Sequence, residues 1–254
     1  MKPLSTLAQS VRASTTMAID TQFKKMRAEG IDVIGFSVGE PDFPTPERIK
    51  QAGIRAIEAD QTKYTPTPGT LAVRQAVCQR LAEDWGLHYT TDEVVVTGGG
   101  KPVLYTALKA LVNPGDEVIL PAPYWVSYYE LIQMVGGTPV VVETTEENGF
   151  NLTPQQLRQA ITPKTKALIL NSPSNPTGMI YSRQHLEDLA QVCLEADLYV
   201  IADEMYSKLI FDGKEFVSFP TLSEAVKAHT ILVNGASKTY AMTGWRLGYA
   251  CGPA

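Results

Sequence analysis

Cysteine is scarce. The 254 residues contain three, Cys78, Cys193 and Cys251, an odd number lying far apart. No disulfide framework and no paired metal ligands follow from that spacing, and the three read as reduced, buried residues of a cytoplasmic protein. Histidine is as rare: His88, His185 and His229 fall in helical or loop contexts and read as surface groups rather than catalytic ones. No run of about 18 apolar residues occurs, which excludes a membrane-spanning helix. Residues 1–18 are polar and broken by Arg12, with no apolar core suited to a signal peptide. Charge of one sign is also lacking. The 22 Lys+Arg stand against 27 Asp+Glu, a net charge of −5, without a basic run or an aromatic-basic stripe, so no nucleic-acid partner is expected. Internal repeats and low-complexity linkers are absent.

What remains is ordinary globular material, 44% hydrophobic and 19% charged. A chain of this length buries roughly 70% of the surface its unfolded form exposes. Apolar residues at helical spacing (Leu7, Val11, Met17, Ile19, Phe23, Met26) predict a helix over residues 5–29, with Gly30 as its C-cap. A short strand-like run over 33–38 leads into the loop Gly39-Glu40-Pro41-Asp42-Phe43-Pro44. Helices are expected over 46–59 and 70–85, with a turn-rich stretch at 63–69 between them. Apolar, β-branched runs then predict seven strands, over 94–97, 117–121, 138–142, 167–171, 199–203, 230–234 and 246–251. Helical stretches over 103–112, 127–135, 154–160 and 183–196 separate most of them. Strands alternating with helices argue an α/β fold, a mainly parallel seven-stranded sheet with helices on both faces. In such sheets ligands bind beyond the carboxyl ends of the strands.

Those ends carry chemistry. The first strand runs into Thr97-Gly98-Gly99-Gly100-Lys101-Pro102, where glycines allow close approach to an anion and a helix N-terminus offers free N–H groups. Pro102 is expected at the first helical position. A P-loop would need glycine at position 95 and Ser or Thr after the lysine, but Val95 and Pro102 stand there. A dinucleotide fingerprint would need glycine at 103 and an acid closing the next strand, where Val103 and Pro121 occur. Other strands close on Asn171-Ser172-Pro173-Ser174-Asn175-Pro176-Thr177-Gly178, on Asp203-Glu204-Met205-Tyr206, and on Asn234-Gly235-Ala236-Ser237-Lys238, with Arg246 eight residues beyond that lysine. Singly, each has a structural reading: Asn-Pro-Thr-Gly makes turns, Asp203 could cap a helix, and Lys238 could be a solvated loop lysine. Together they read as one site, with a phosphate cradle, a cation to complete it, a carboxylate, a phenol, an amide and a lysine. That set suits a phosphorylated aldehyde cofactor, with the lysine for an imine and the carboxylate for a pyridinium nitrogen.

At these residues the sequence resembles the class I aminotransferases of the pyridoxal-phosphate fold type I group. It is most similar to the bacterial-type aspartate aminotransferase subgroup, some members of which accept prephenate. The resemblance runs from about Val11 to the last residue. Its motifs are Val38-Gly39-Glu40-Pro41-Asp42-Phe43, Tyr64-Thr65, Pro123-Tyr124-Trp125-Val126-Ser127-Tyr128, Asn175-Pro176-Thr177-Gly178, Asp203-Glu204, and Ser237-Lys238 through Gly244-Trp245-Arg246-Leu247-Gly248. The resemblance implies that Lys238 holds pyridoxal 5'-phosphate as an imine and later shuttles the substrate proton. It implies that Asp203 pairs with the ring nitrogen, that Tyr206 and Asn175 bond the ring oxygen, and that Trp125 stacks on the ring. Gly100, Lys101 and Arg246 would hold the phosphate, and Tyr64 would reach the phosphate of a neighbouring subunit in a homodimer. Gly39, Trp125, Asn175 and Lys101 would meet the substrates, an amino acid (aspartate foremost) and a 2-oxo acid such as 2-oxoglutarate. In this subgroup the lysine matching Lys101 reads the distal carboxylate of acidic substrates; the plainer role for Lys101 is added positive potential near the phosphate.

The implied organisation is an N-terminal arm over 1–15, the first segment of a small domain over 16–45, and the large cofactor-binding domain over 46–254. Two departures stand out. Many relatives have Ser-x-x-Lys, with the serine on the phosphate, whereas position 235 is glycine, so that contact is lost or passes to Ser237. The chain also stops at Ala254, just after the seventh strand, so the rest of the small domain and its carboxylate-binding arginine are expected in a longer protein. Competing readings on the same scaffold are a β-lyase acting on a sulfur amino acid, a decarboxylase or another aminotransferase; beyond these stand a non-catalytic cofactor-binding module and a chain inert by itself.

Overall fold

The computed structural model describes residues 2–11, 15–36 and 39–254. The helix expected over 5–29 is two helices, α1 (Thr6–Ser10) and α2 (Thr15–Ala28). Ser5 caps α1 by accepting the Ala8 N–H at 3.2 Å, and Val11 turns extended. The apolar spacing lapses between Val11 and Met17, and residues 12–14, Arg12 among them, lie outside the described residues. Gly30 closes α2 as expected. Its φ of +80° lets its N–H reach the Arg27 carbonyl at 3.0 Å while the Ile31 N–H reaches Met26 at 3.1 Å. The strand-like run does not form a strand over 31–36, where Ile34 and Phe36 are 82% and 94% exposed. A strand needs a partner's backbone, and none runs beside this segment among the described residues. Residues 37 and 38, which complete that run and open the first motif, lie outside them.

From residue 47 the expected pattern holds. Helices α3 (Glu47–Glu58) and α4 (Leu71–Trp85) lead into strand β1 (Val94–Thr97) and α5 (Gly100–Leu111). Then come β2 (Glu117–Ala122), α6 (Ser127–Met134), β3 (Thr138–Glu143), α7 (Pro154–Ala160), β4 (Thr165–Asn171), α8 (Arg183–Glu195) and β5 (Tyr199–Asp203). Helix α9 (Glu224–Ala228), β6 (Thr230–Gly235), the short α10 (Ala236–Thr239) and β7 (Gly248–Cys251) complete the chain. The sheet order is β1-β7-β6-β5-β4-β2-β3. Pairings among β2 to β6 are parallel, and β7 runs antiparallel to β6 and β1.

Strand period decides what faces each side. Val118, Leu120, Ala167, Ile169, Ile201 and Val233 pack with α5 and α6 side chains such as Leu104, Leu108 and Ile132. Their alternates, Ile119, Leu168, Leu170, Val200 and Ala202, pack with Leu157 of α7 and Leu186, Leu189 and Cys193 of α8. A third cluster under α4 joins Val77 and Leu81 to Val94, Leu232 and Cys251. Both faces of the sheet are therefore covered, and burying each such Leu or Ile side chain is worth about 1.5–3 kcal/mol. No helix among the described residues is long and apolar enough to cross a membrane.

Two boundaries depart from expectation near the strand ends. Helix α5 starts at Gly100, so Pro102 is its third residue rather than its first. The first turn's N–H groups have no intrahelical partner, so proline costs nothing there. Strand β7 starts at Gly248, not at residue 246, because Arg246 is left-handed (φ +58°, ψ 55°), a conformation no strand accommodates.

Candidate active site

Four strand ends converge on one edge of the sheet. After β1, Gly99 has φ +107°, and a Cβ built there would strike the guanidinium of Arg246. Glycine is thus favoured at 99 by conformation, and a side chain there would push the Arg246 guanidinium aside. The Thr97 hydroxyl donates to the Gly99 carbonyl at 2.8 Å and steadies the turn. Arg246 is aimed by its own left-handed backbone, and its Nη1 donates to the Thr243 carbonyl at 2.8 Å. Beside them stands Lys101, whose Nζ lies 5.0 Å from the Trp125 ring centre. Partial burial, and then the Arg246 charge, lowers its pKa from the usual lysine value. The result is a helix start with open N–H groups, faced by a guanidinium, which is an anion site.

The ends of β4 and β5 supply the polar groups. Asp203 is buried; its Oδ2 accepts the Tyr128 hydroxyl at 2.7 Å and its Oδ1 the Met205 N–H at 3.1 Å. Desolvation raises its pKa against the pull of those two hydrogen bonds. Asn171 splices the two strands: its Nδ2 donates to the Asp203 carbonyl at 2.8 Å, and its Oδ1 accepts the Asn175 N–H at 2.7 Å. Asn175 in turn donates from Nδ2 to the Tyr206 hydroxyl at 3.3 Å. The Tyr206 phenol is raised by burial and then by the Asp203 charge.

Lys238 enters from β6 through α10. Its Nζ lies 5.7 Å from the Tyr206 ring centre and donates to the Gly39 carbonyl. Burial lowers its pKa, the Glu40 carboxylate opposes that shift, and Arg246 adds to it. Ser237 is buried beside it. At Gly235, a Cβ would lie 2.7 Å from the Leu247 carbonyl and 3.1 Å from Gly248 Cα. A serine at that position would therefore need the backbone at 247–248 to shift.

The segment carrying Gly39 is fastened over the lysine. The Thr243 hydroxyl donates to Glu40 Oε1 at 2.6 Å, the Thr45 hydroxyl to the Ala241 carbonyl at 2.5 Å, and the Trp245 indole to Thr45 Oγ1 at 3.1 Å. Of the residues singled out in the sequence, Gly39, Gly100, Lys101, Trp125, Asn175, Asp203, Tyr206, Ser237, Lys238 and Arg246 gather at this edge. Tyr64 does not; its side chain is fully exposed in the turn before α4. Tyr128, Asn171, Glu40 and Thr243 carry parts of the site that the sequence reading gave no role. Strand parity was the signal for Asn171, which shares a face with Ile169 as Asp203 does with Ile201. A separate apolar cavity of about 420 Å³, lined by Val73, Leu81, Trp85, Ala236 and Tyr249, includes none of Lys238, Asp203 or Arg246.

This architecture is shared. The chain is 49% identical to an aspartate aminotransferase of Bacillus sp. (strain YM-2), over 99% of its own length and 64% of that protein. It is 47% identical to a probable aspartate/prephenate aminotransferase of Thermus aquaticus, over 100% of itself and 65% of that protein. The structure of aspartate aminotransferase from Thermus thermophilus with maleate superposes with a TM-score of 0.95 at 45% identity, covering 100% of this chain and 65% of the other. That of the Rhizobium meliloti aspartate aminotransferase gives 0.95 at 41% identity, covering 100% and 64%. The chain thus spans about 64% of the length of such relatives, and its seven-stranded sheet is that of the fold type I enzymes. With residues 31–254 also matching the family described as Aminotransferase class I and II, sheet, site and sequence agree that this chain belongs to that family.

Proposed function

We propose that the chain binds pyridoxal 5'-phosphate at this edge and serves an enzyme that transfers an amino group between aspartate and 2-oxoglutarate. The observation that carries the reading is the convergence of a glycine-lined anion site, a buried carboxyl and a lysine of lowered proton affinity. The residues present fit the cofactor: the space a Cβ at Gly99 would fill faces Arg246, and Asp203 is a buried acid lacking only a cation to favour its charged form. When bound, the cofactor supplies a reactive carbonyl and a ring that accepts the electron pair released at the substrate's α-carbon.

The chain's own groups do the rest. Arg246 offers two parallel donors to phosphate oxygens, joined by the Gly100 and Lys101 N–H groups. Asp203, held by Tyr128, would pair with the ring nitrogen and favour its protonated form; a buried charge pair of this kind is costly to break from one side, by about 3–5 kcal/mol. Tyr206 and Asn175, already bonded to each other, would supply donors for the ring oxygen, and Trp125 would cover one ring face. Lys238, whose proton affinity burial lowers, is the amine that would hold the cofactor's carbonyl carbon and would move the proton at the substrate's α-carbon. Gly39 closes over it.

Lys101 supports an acidic substrate, since its ammonium stands beside Trp125 where a distal carboxylate would lie; the Thermus thermophilus relative was solved with maleate, itself a dicarboxylate. Full exposure of Tyr64 supports a role at the phosphate of a partner subunit, hence a homodimer. Residues 16–45 are the leading piece of a small domain and 46–254 the cofactor-binding one, and the scarcity of cysteine supports a cytoplasmic setting. Incubation with aspartate and 2-oxoglutarate tests the activity: oxaloacetate and glutamate should form in equal amounts. No glutamate from this pair, with pyruvate, ammonia and sulfide released when cysteine is supplied instead, would indicate elimination chemistry and overturn it.

A further inference from the structure

Asp203 has a buried neighbour that the chemistry above does not use. Strand alternation sends Asp203 to the α5/α6 side with Ile201, and Glu204 to the α7/α8 side with Ala202 and Phe219. Glu204 is 2% exposed. Its Oε2 accepts the Ser218 hydroxyl at 2.7 Å, and its Oε1 accepts the Phe219 N–H at 2.7 Å. Residues 205–217 leave the sheet between these partners, so one side chain closes the neck of that excursion, which carries Met205 and Tyr206.

The backbone of Glu204 extends the link. Its N–H donates to the Val233 carbonyl at 2.9 Å, and its carbonyl accepts the Ser207 N–H at 3.0 Å. The Ser207 hydroxyl accepts from Asn234 Nδ2 at 3.1 Å, and Asn234 Oδ1 accepts the Gly235 N–H at 2.7 Å. Gly235 begins the turn into Lys238. Burial lifts Glu204 to about 8 despite its two hydrogen bonds, so a carboxyl here costs stability that an apolar side chain would not.

We propose that Glu204 is a positioning residue of the cofactor site, holding Asp203 to the ring nitrogen and Tyr206 to the ring oxygen through its grip on Ser218 and Phe219. The inference rests on the cofactor reading above and is separable from it. Both partners' hydrogen bonds lie outside the cofactor pocket, so a purely structural Glu204 would alter stability without altering the cofactor's electronic environment.

The test is the chain with added pyridoxal phosphate, followed by visible absorbance across pH, alongside thermal melting. Glu204→Ala and Ser218→Ala should weaken cofactor binding about five- to tenfold for each lost hydrogen bond and move the absorbance pKa by about half a unit or more. The double variant should fall short of the sum of the two, because both break the same neck. Glu204→Gln should restore the absorbance pKa, since an amide can accept from Phe219 and donate to Ser218. If Glu204→Ala, or Ser218→Ala where the former does not fold, melts lower yet titrates as the unaltered chain does, the inference is overturned while the cofactor reading stands. No visible band in the unaltered chain removes both.

Discussion

The Tyr128 hydroxyl donates to Oδ2 of Asp203 at 2.7 Å, with both groups buried and 75 residues apart in sequence. Tyr128 reaches Asp203 from α6 across the sheet face that both share with Ile169 and Ile201. Hydrogen bonds to a charged, buried acceptor are worth about 1.5–3 kcal/mol. Tyr128→Phe should therefore raise the Asp203 pKa further and loosen its hold on the ring nitrogen. Cofactor affinity, measured by absorbance titration, should fall about tenfold or more, with the helix content unchanged by circular dichroism.

Stability should depend on pH in a particular sense. Glu204 is lifted from 4.5 to about 8 by burial, and Asp203 beside it is also raised. A folded pKa above the unfolded one means that the folded chain holds the proton more tightly. The stabilisation is thus fully present below pH 4.5 and is lost as pH rises toward 8, the window set by Glu204. The groups sharing its field are Asp203, Tyr89, Tyr249 and Cys251, the tyrosines and the thiol being raised out of this range. The loss amounts to several kcal/mol at most. Melting temperature should fall between pH 5 and pH 8, and Glu204→Gln should flatten that decline. An equal decline in the variant would assign it to other groups.

Gly99→Ala tests the anion cradle. A side chain at φ +107° is strained, and its Cβ would meet the Arg246 guanidinium. The backbone term alone costs on the order of 1–3 kcal/mol. Displacing Arg246 should weaken binding of inorganic phosphate as well as of the cofactor, which isothermal titration can follow. Phosphate binding unchanged from the native chain would place the anion elsewhere.

Lys101→Ala tests substrate choice. The ammonium is already partly desolvated beside Trp125, so a distal carboxylate would gain from it more than an apolar side chain could. Steady-state assays should show KM for aspartate rising far more than KM for an apolar amino acid. Equal rises would leave Lys101 as a contributor of general positive potential only.

Much of this was legible in the sequence, for identifiable reasons. The inner strands β2, β4, β5 and β6 announced themselves as apolar, β-branched runs because each is covered on both faces, and the edge strands β1 and β3 kept enough valine to read the same way. Asp203, Asn175 and Lys238 stood out as polar groups where those runs stop. Tyr128 did not, because a tyrosine on an amphipathic helix reads as core until its hydroxyl is seen to meet Asp203. Arg246 read as strand because Leu247 and its followers are apolar; its left-handed backbone is set by the turn at Thr243, not by its own identity. The bond from Thr243 to Glu40 spans 203 residues, and no local pattern carries such a contact. The first N-terminal helix ends at Ser10, where Val11 turns extended, a stop that no glycine or proline in the sequence marks.

The most direct measurement of the central claim is at Lys238. The purified chain, mixed with pyridoxal phosphate, reduced with borohydride and digested, should carry the phosphopyridoxyl label on Lys238, and Lys238→Ala should lose both the label and the visible band. A label on Lys101 or any other lysine, or an unaltered band in Lys238→Ala, would contradict it.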